Sequence, residues 1–145
     1  MSGITAASGC PTETGIPLTH RGVAESVTMA TGHGCGEEPD HDWAGLAQDN
    51  RTAVFYMGLG QLATIRDRLL AHGRAAETPA AIVVAGTMAR QQVETASLAD
   101  LGEAAERLET TSPALIIVGE VVGIRQHLTC SAQAVRGATT PVAVQ

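Results

Sequence analysis

At 145 residues the chain is long enough for one domain with a single continuous core. It carries 15 acidic and 9 basic residues, and 44% of its residues are hydrophobic. The basic residues are scattered and outnumbered, which argues against nucleic-acid binding, and no apolar run approaches the ~20 residues that span a bilayer. The start of the chain lacks the features of a signal peptide, and three separated cysteines indicate no disulfide framework. We therefore expect a cytoplasmic protein with no nucleic-acid or membrane partner.

The first third of the chain alternates between helical and extended patterns. Residues 4–15 are small and predict a short helix, and residues 26–31 alternate as in a strand. Residues 32–42 are rich in glycine and acids, which predicts an exposed loop. A short helix follows at Trp43, with Asp42 as its candidate N-cap.

The rest of the chain repeats this alternation, which indicates an α/β fold in which helices cover a sheet. The predicted elements are a strand over 53–57, a helix over 61–72, a strand over 80–85, a further strand within 88–97, a helical stripe from Leu98 to Leu108, and a strand over 114–118.

Gly58-Leu59-Gly60 lies between a strand and a helix, which is where a dinucleotide-binding turn would lie. The third glycine of that motif is replaced by Ala63, and no acidic residue follows at the expected distance. An ordinary strand–helix turn is the better interpretation.

Other reactive side chains give weak signals for chemistry. His33, Cys35 and His41 could be drawn as a metal site, but their loop is acidic and glycine-rich and no second ligand pair follows. We therefore predict no metal site. Cys10 precedes Pro11 and has no evident histidine or asparagine partner, which argues against a nucleophile.

Two further segments stay open when the residues are considered alone. Thr19-His20-Arg21 is a polar surface segment that touches a ligand in a minority of such cases. Met57 ends an apolar strand beside glycines and is more often a core residue than a ligand contact. The residues alone therefore indicate an α/β domain with glycine-lined strand ends, where ligands tend to bind in open sheets.

Several segments taken together resemble the tetrapyrrole methylase family, specifically its uroporphyrinogen-III C-methyltransferase branch. Their order and spacing hold over residues 3–128. The matching strings are GITAASGC (3–10), GIPLTHR (15–21), TGH (31–33), DW (42–43), VFYMG (54–58), GT (86–87) and SPALIIVG (112–119).

The resemblance implies S-adenosylmethionine as the cofactor, held in a cleft between two domains. The segments of that family that match Thr5, Ala6, Met57 and Gly86 contact the cofactor, so these four are the predicted cofactor-binding residues. Small residues let the backbone approach a ligand closely, and a methionine side chain forms an adaptable wall. Arg21 is predicted to meet an acidic tetrapyrrole substrate, and the catalytic residues are unknown.

The resemblance also implies a domain organisation and a reaction. Residues 1–128 would form the C-terminal domain, a mixed sheet covered by helices, without the N-terminal domain, and 129–145 a disordered tail. The expected reaction is methylation of uroporphyrinogen III to precorrin-2, in sirohaem and cobalamin biosynthesis. We expect a homodimer that is weak or inactive without the N-terminal domain. The alternatives are a methylase of a later corrin intermediate and a non-catalytic dimerisation or cofactor-binding fragment.

Overall fold

The computed structural model describes residues 3–32, 40–108, 113–125 and 127. Its five strands are β1 (Ser26–Thr31), β2 (Arg51–Tyr56), β3 (Pro79–Val84), β4 (Gln92–Ser97) and β5 (Ala114–Val118). Its helices are α1 (Ala6–Thr14), α2 (Trp43–Leu46), α3 (Leu62–Ala71) and α4 (Leu101–Glu106), with a short 3-10 turn over Leu59–Gln61.

The strands form one mixed sheet in the order β1-β2-β5-β3-β4. β1 and β2 are parallel, whereas the other three neighbouring pairs are antiparallel. The predicted α/β fold with a mixed, helix-covered sheet is confirmed. These directions bring the carboxyl ends of β1, β2 and β3 and the amino ends of β4 and β5 to one edge, which we call the upper edge. Its strand-end residues are Thr31, Tyr56, Val84, Gln92 and Ala114.

Both faces of the three central strands, β2, β5 and β3, are buried, as their nearly continuous apolar runs predict. Along β2, Ala53 and Phe55 pack into the layer that contains α2, α3 and α4. Val54 and Tyr56 point the other way, into the layer that contains α1. The sheet is therefore held between helices on both sides, with α2, α3 and α4 on one side and α1 and the helical residues 121–125 on the other.

A buried arginine ties the segment after α3 to the segment before β2. The Arg74 side chain is 3% exposed, and its Nη1 donates hydrogen bonds to the carbonyl oxygens of Gln48 and Arg51. Burial lowers the pKa of the Arg74 guanidinium, although the charges of Asp49 and Glu120 oppose that shift. This contact lies at the edge of the sheet opposite the upper edge.

Two predicted elements are shorter than expected. Residues 85–91 form successive turns, closed by hydrogen bonds from Met88 N to Ala85 O and from Gln91 N to Met88 O, so β4 begins only at Gln92. The predicted helical stripe from Leu98 to Leu108 is a helix over Leu101–Glu106 alone. Leu98 lies in the preceding turn, where its N–H donates to Thr78 O at 2.8 Å.

Some expectations fall partly or wholly outside the described residues. These are most of the predicted loop 32–42, with His33 and Cys35, and the predicted tail 129–145. Within the described ranges, no helix is both long enough and apolar enough to cross a membrane. The same ranges contain no cluster of three or more side chains suited to a metal ion.

Candidate functional site

A pocket of about 330 Å³ opens at the upper edge of the sheet. Its walls come from α1, from the segments that follow β2 and β3, and from the start of β5. Most of the side chains that line it are small or apolar. They include Ala6, Cys10, Tyr56, Met57, Gly86 and Met88.

The structure brings the predicted cofactor-binding residues to this pocket. Ala6, Met57 and Gly86 line it directly, although they come from three separate parts of the chain. Thr5 precedes Ala6, and its Oγ1 is hydrogen-bonded to Oη of Tyr56, which also lines the pocket. One site therefore unites the four positions that the family resemblance singles out, and their contact with a cofactor stays a prediction.

Backbone strain concentrates beside the pocket. Met57, Ala85 and Thr87 are non-glycine residues in the left-handed region, with φ of 51°, 49° and 65°. Each such conformation costs roughly 1–3 kcal/mol and persists only where neighbouring contacts hold it, typically at ligand-binding sites. Ala85 N donates to Pro113 O at 3.0 Å, and Thr87 N donates to Gln91 Oε1 at 2.7 Å. The backbone is therefore held in the left-handed conformation just after β2 and just after β3, where these segments meet the pocket.

Gly86 packs directly against Cys10. A Cβ placed on Gly86 would overlap Cys10 Sγ, so no side chain fits at position 86 while Cys10 keeps its place. Cys10 is 5% exposed, and burial raises the pKa of its thiol. Because a thiol with a raised pKa stays protonated at neutral pH, this environment argues against Cys10 as a nucleophile.

Close backbone packing explains the glycines between the ends of β1 and β2. A Cβ on Gly32 would overlap Gly58 Cα, and Gly32 N donates to Tyr56 O at 2.6 Å. A Cβ on Gly58 would lie 2.7 Å from Ile116 Cδ1. Packing alone accounts for glycine at position 58, in line with an ordinary strand–helix turn.

Exposed apolar side chains surround the pocket. Met57 and Met88 line it and are 66% and 53% exposed. Met29 lies beside it, with its Sδ 4.0 Å from Tyr56 Oη, and Ile4 directly precedes Thr5. The interpretation of Met57 as a core residue is wrong, because the chain turns at φ 51° and directs this side chain outwards. An apolar patch beside a pocket is typical of a ligand or partner contact.

Arg21 lies far from this pocket. It sits in a turn where Ala24 N donates to His20 O, and Glu25 N then donates to Asn50 O just before β2 begins. This turn is at the amino ends of β1 and β2, whereas the pocket is at their carboxyl ends. A strand of this length spans roughly 17–20 Å. The contact between Arg21 and an acidic substrate stays a prediction, and the pocket-lining residues do not include it.

Cys10, Tyr56 and Met88 are among the pocket residues that the sequence did not indicate. Cys10 was considered only as a nucleophile, and Met88 lies in a segment that was read as extended. Tyr56 is adjacent to Met57 in the family-like string, but its hydroxyl contacts lie about fifty residues away in the chain. No local pattern could have indicated those contacts.

Fold and site together define a mixed-sheet α/β domain with a largely apolar pocket at its strand ends. The family model for Tetrapyrrole (Corrin/Porphyrin) Methylases matches residues 1–102. The chain belongs to this family, which confirms the resemblance seen in the sequence.

Curated proteins similar to this chain include siroheme synthases. The siroheme synthase of Salmonella schwarzengrund (strain CVM19633) is 53% identical over 128 residues, which cover 88% of this chain and 27% of that protein. Siroheme synthase 3 of Aeromonas hydrophila subsp. hydrophila is 52% identical with the same coverage. The chain therefore spans about a quarter of the length of these relatives.

Solved structures show the same fold. The uroporphyrin-III C-methyl transferase of Thermus thermophilus, in complex with S-adenyl homocysteine, matches with a TM-score of 0.70 and 31% identity, over 86% of this chain and 51% of that one. A second structure of the Thermus thermophilus enzyme matches with a TM-score of 0.69 and 36% identity, over 87% and 52%. A cobalt precorrin-4 methyltransferase has a TM-score of 0.74 at 17% identity, which shows the shared fold alone.

Proposed function

We propose that this chain forms one half of the S-adenosylmethionine site of a uroporphyrinogen-III C-methyltransferase. The observation that carries the proposal is the single pocket that unites Ala6, Met57 and Gly86, beside Thr5, at the upper edge of the sheet. Support comes from the similarity to a Thermus thermophilus enzyme of that name in complex with S-adenyl homocysteine. The product would be precorrin-2, an intermediate of sirohaem and cobalamin biosynthesis.

The pocket has the character that such a cofactor needs. Its volume of about 330 Å³ is at the lower end of the range for small-molecule sites, and its walls are mostly apolar. A site of this size suits a cofactor that a second domain also contacts. Met57 and Met88 supply soft, adaptable side chains at its opening.

The residues of the chain bind and orient the cofactor rather than carry out its chemistry. When bound, S-adenosylmethionine supplies an electrophilic methyl group on its sulfonium. The apolar wall excludes water from one side of the site, and the strained ends of β2 and β3 fix its shape. Burial keeps the Cys10 thiol protonated, so no thiolate from this residue competes for the methyl group.

The proposal extends to the rest of the enzyme. Residues 1–128 would be its C-terminal domain, and an N-terminal domain, a tetrapyrrole substrate and a homodimeric partner would complete it in the cytoplasm. The chain covers 51% of the Thermus thermophilus enzyme and 27% of a siroheme synthase, which supports a partial enzyme. We therefore expect weak or no turnover by this chain alone.

Calorimetric titration with S-adenosylhomocysteine tests the cofactor site. We expect binding that is weakened at least tenfold by Met57→Lys, because a charged side chain at the pocket opening is incompatible with an apolar ligand wall. Ala71→Lys is the matched control, since it adds the same charge on an exposed part of α3 away from the pocket. Binding that Met57→Lys leaves unchanged would contradict the proposal, whereas absence of binding at millimolar ligand would show that the N-terminal domain is required to complete the site.

Product analysis tests the substrate and the partial-enzyme status. The chain is incubated with S-adenosylmethionine and either uroporphyrinogen III or a later corrin intermediate, and product masses are recorded. We expect little precorrin-2 and no methylation of the later intermediate. Rapid formation of precorrin-2 would show that the chain is sufficient for catalysis, and methylation of the corrin alone would show a different substrate.

A second candidate is a non-catalytic dimerisation domain. The exposed apolar side chains of Ile4, Met29, Met57 and Met88 favour it, because such a patch can bury itself against another copy. Sedimentation separates the two functions. Dimers that form without ligand, in a chain that binds no S-adenosylhomocysteine, would support the structural role.

A further inference from the structure

Tyr56 makes contacts between elements that are distant in sequence. Its hydroxyl is hydrogen-bonded to Thr5 Oγ1 and accepts a hydrogen bond from Ala7 N at 3.2 Å. The Met29 thioether lies 4.0 Å from the same hydroxyl. One oxygen at the end of β2 thus meets the amino end of α1 and the side of β1.

These contacts replace the usual cap of α1. Thr5 occupies the N-cap position, but its side chain makes no capping hydrogen bond to the helix, and the first turn contains no acidic residue. In most helices the N-cap side chain accepts a hydrogen bond from one of the first free N–H groups. Here the N–H of Ala7 is satisfied by Tyr56 instead. The start of α1 is therefore held by the sheet rather than by its own sequence.

The predicted cofactor-binding residues lie beside both partners of the hydrogen bond between Thr5 and Tyr56. Thr5 and Ala6 lie at one end, and Met57, with φ 51°, directly follows Tyr56 at the other. Tyr56 itself lines the pocket. Its hydroxyl thus sets the distance between the α1 wall and the β2 wall of the pocket.

We propose that Tyr56 is a positioning residue for cofactor binding, acting through the Thr5–Ala7 segment rather than through the methyl transfer itself. This inference rests on the proposed function. Without the hydroxyl, the start of α1 loses the group that satisfies Ala7 N, and Thr5 Oγ1 loses its partner. The pocket would keep its lining side chains but lose its fixed width.

Tyr56→Phe tests the inference because it removes the hydroxyl and keeps the ring packed in the α1 layer. We expect S-adenosylhomocysteine to bind roughly tenfold more weakly, the effect of losing one or two hydrogen bonds. Thr5→Val should weaken binding similarly, because it removes the other partner of the same hydrogen bond. The double variant Tyr56→Phe/Thr5→Val should have an affinity for S-adenosylhomocysteine within about twofold of that of the weaker-binding single variant. The reason is that both changes remove the same contact.

Hydrogen exchange supplies a readout that does not depend on the ligand. In Tyr56→Phe the Ala7 amide should exchange at least tenfold faster, while amides in the centre of α3 keep their rates. Unchanged exchange at Ala7, or unchanged affinity in Tyr56→Phe, would overturn the inference and leave the proposed function intact. Binding by the wild-type chain that Met57→Lys leaves unchanged would instead contradict the proposed function, and the inference with it.

Discussion

Gly86 is a glycine whose lack of a Cβ matters both for packing and for the predicted ligand binding. Its Cα faces Cys10 Sγ so closely that a Cβ would overlap the sulfur. It also lines the pocket and is a predicted cofactor contact. A Gly86 variant that lost cofactor binding could have lost either its packing against Cys10 or a direct cofactor contact. Only a second substitution, at Cys10, separates these two causes.

We expect Gly86→Ala to lower the free energy of unfolding by about 1–3 kcal/mol, the usual effect of forcing extra volume into a packed site. In a Cys10→Ala background the sulfur is gone, and the same change should cost clearly less. Denaturant unfolding of the four proteins measures this difference. An equal cost in both backgrounds would show that Cys10 does not explain the glycine.

Burial should also govern the reactivity of Cys10. Because burial raises its pKa, the thiolate forms at higher pH in the native state than in the unfolded chain. We expect alkylation by iodoacetamide at pH 7 to be at least tenfold slower in native protein than in denaturant, as followed by mass spectrometry of the Cys10 peptide. Equal native and denatured rates would contradict this prediction.

The same shift has a consequence for stability. The native state holds the Cys10 proton more tightly than the unfolded state does, because its pKa is higher when folded. The contribution of this group to stability is therefore present below the unfolded thiol pKa and is lost as the pH rises through the folded pKa. Cys10→Ala should remove that part of the decline at alkaline pH.

At the scale of elements, α2 depends on a cap that lies within its own sequence. Asp42 Oδ1 accepts a hydrogen bond from Gly45 N at 2.9 Å, which confirms the predicted N-cap. The helix has only four residues, yet it places Trp43 against Phe55 with ring centroids 6.2 Å apart. The cap of α2 comes from Asp42, which directly precedes the helix, so it could be predicted from the sequence. The cap of α1 comes from Tyr56 at the end of β2 and could not be predicted in this way.

We expect Asp42→Ala to lower the free energy of unfolding by about 1 kcal/mol and Asp42→Asn by a few tenths, because asparagine can still accept the hydrogen bond. Trp43 is the single tryptophan of the chain, so its fluorescence reports unfolding at this helix. Equal losses for the two variants would show that the charge, rather than the capping geometry, stabilises α2.

At the scale of the whole molecule, strand positions were predictable and strand order was not. The predicted strands 26–31 and 114–118 coincide with β1 and β5, because alternation and apolar runs are local signals. The insertion of β5 between β2 and β3 depends on pairing between distant segments. Residues 88–91 form part of the successive turns over 85–91 and not of the predicted strand within 88–97, because their hydrogen bonds, which the composition does not reveal, define them.

The candidate site was predictable only through the family resemblance. Considered alone, Met57 stays open, with the core as the commoner location, because an apolar residue that ends an apolar strand usually lies there. Its outward direction follows from a positive φ that the sequence does not reveal. The position of Arg21 at the opposite edge likewise follows from the path of the chain from α1 into β1.

The separation of Arg21 from the pocket makes its predicted role testable. If Arg21 meets an acidic tetrapyrrole, Arg21→Ala should weaken the binding of uroporphyrin III roughly tenfold, the effect of losing one charge-assisted hydrogen bond. Affinity for S-adenosylhomocysteine should not change, because Arg21 is absent from the pocket lining. Arg66→Ala on α3 is the charge-matched control. Unchanged uroporphyrin affinity in Arg21→Ala would show that the prediction is wrong.

The three methionines at the upper edge also make the chain convenient for spectroscopy. The sequence contains four methionines, and Met29, Met57 and Met88 all lie at or beside the pocket. Each is partly or largely exposed, at 46%, 66% and 53%. A sample labelled with carbon-13 at methionine methyl groups would therefore give an NMR spectrum of few signals, three of which report on the pocket.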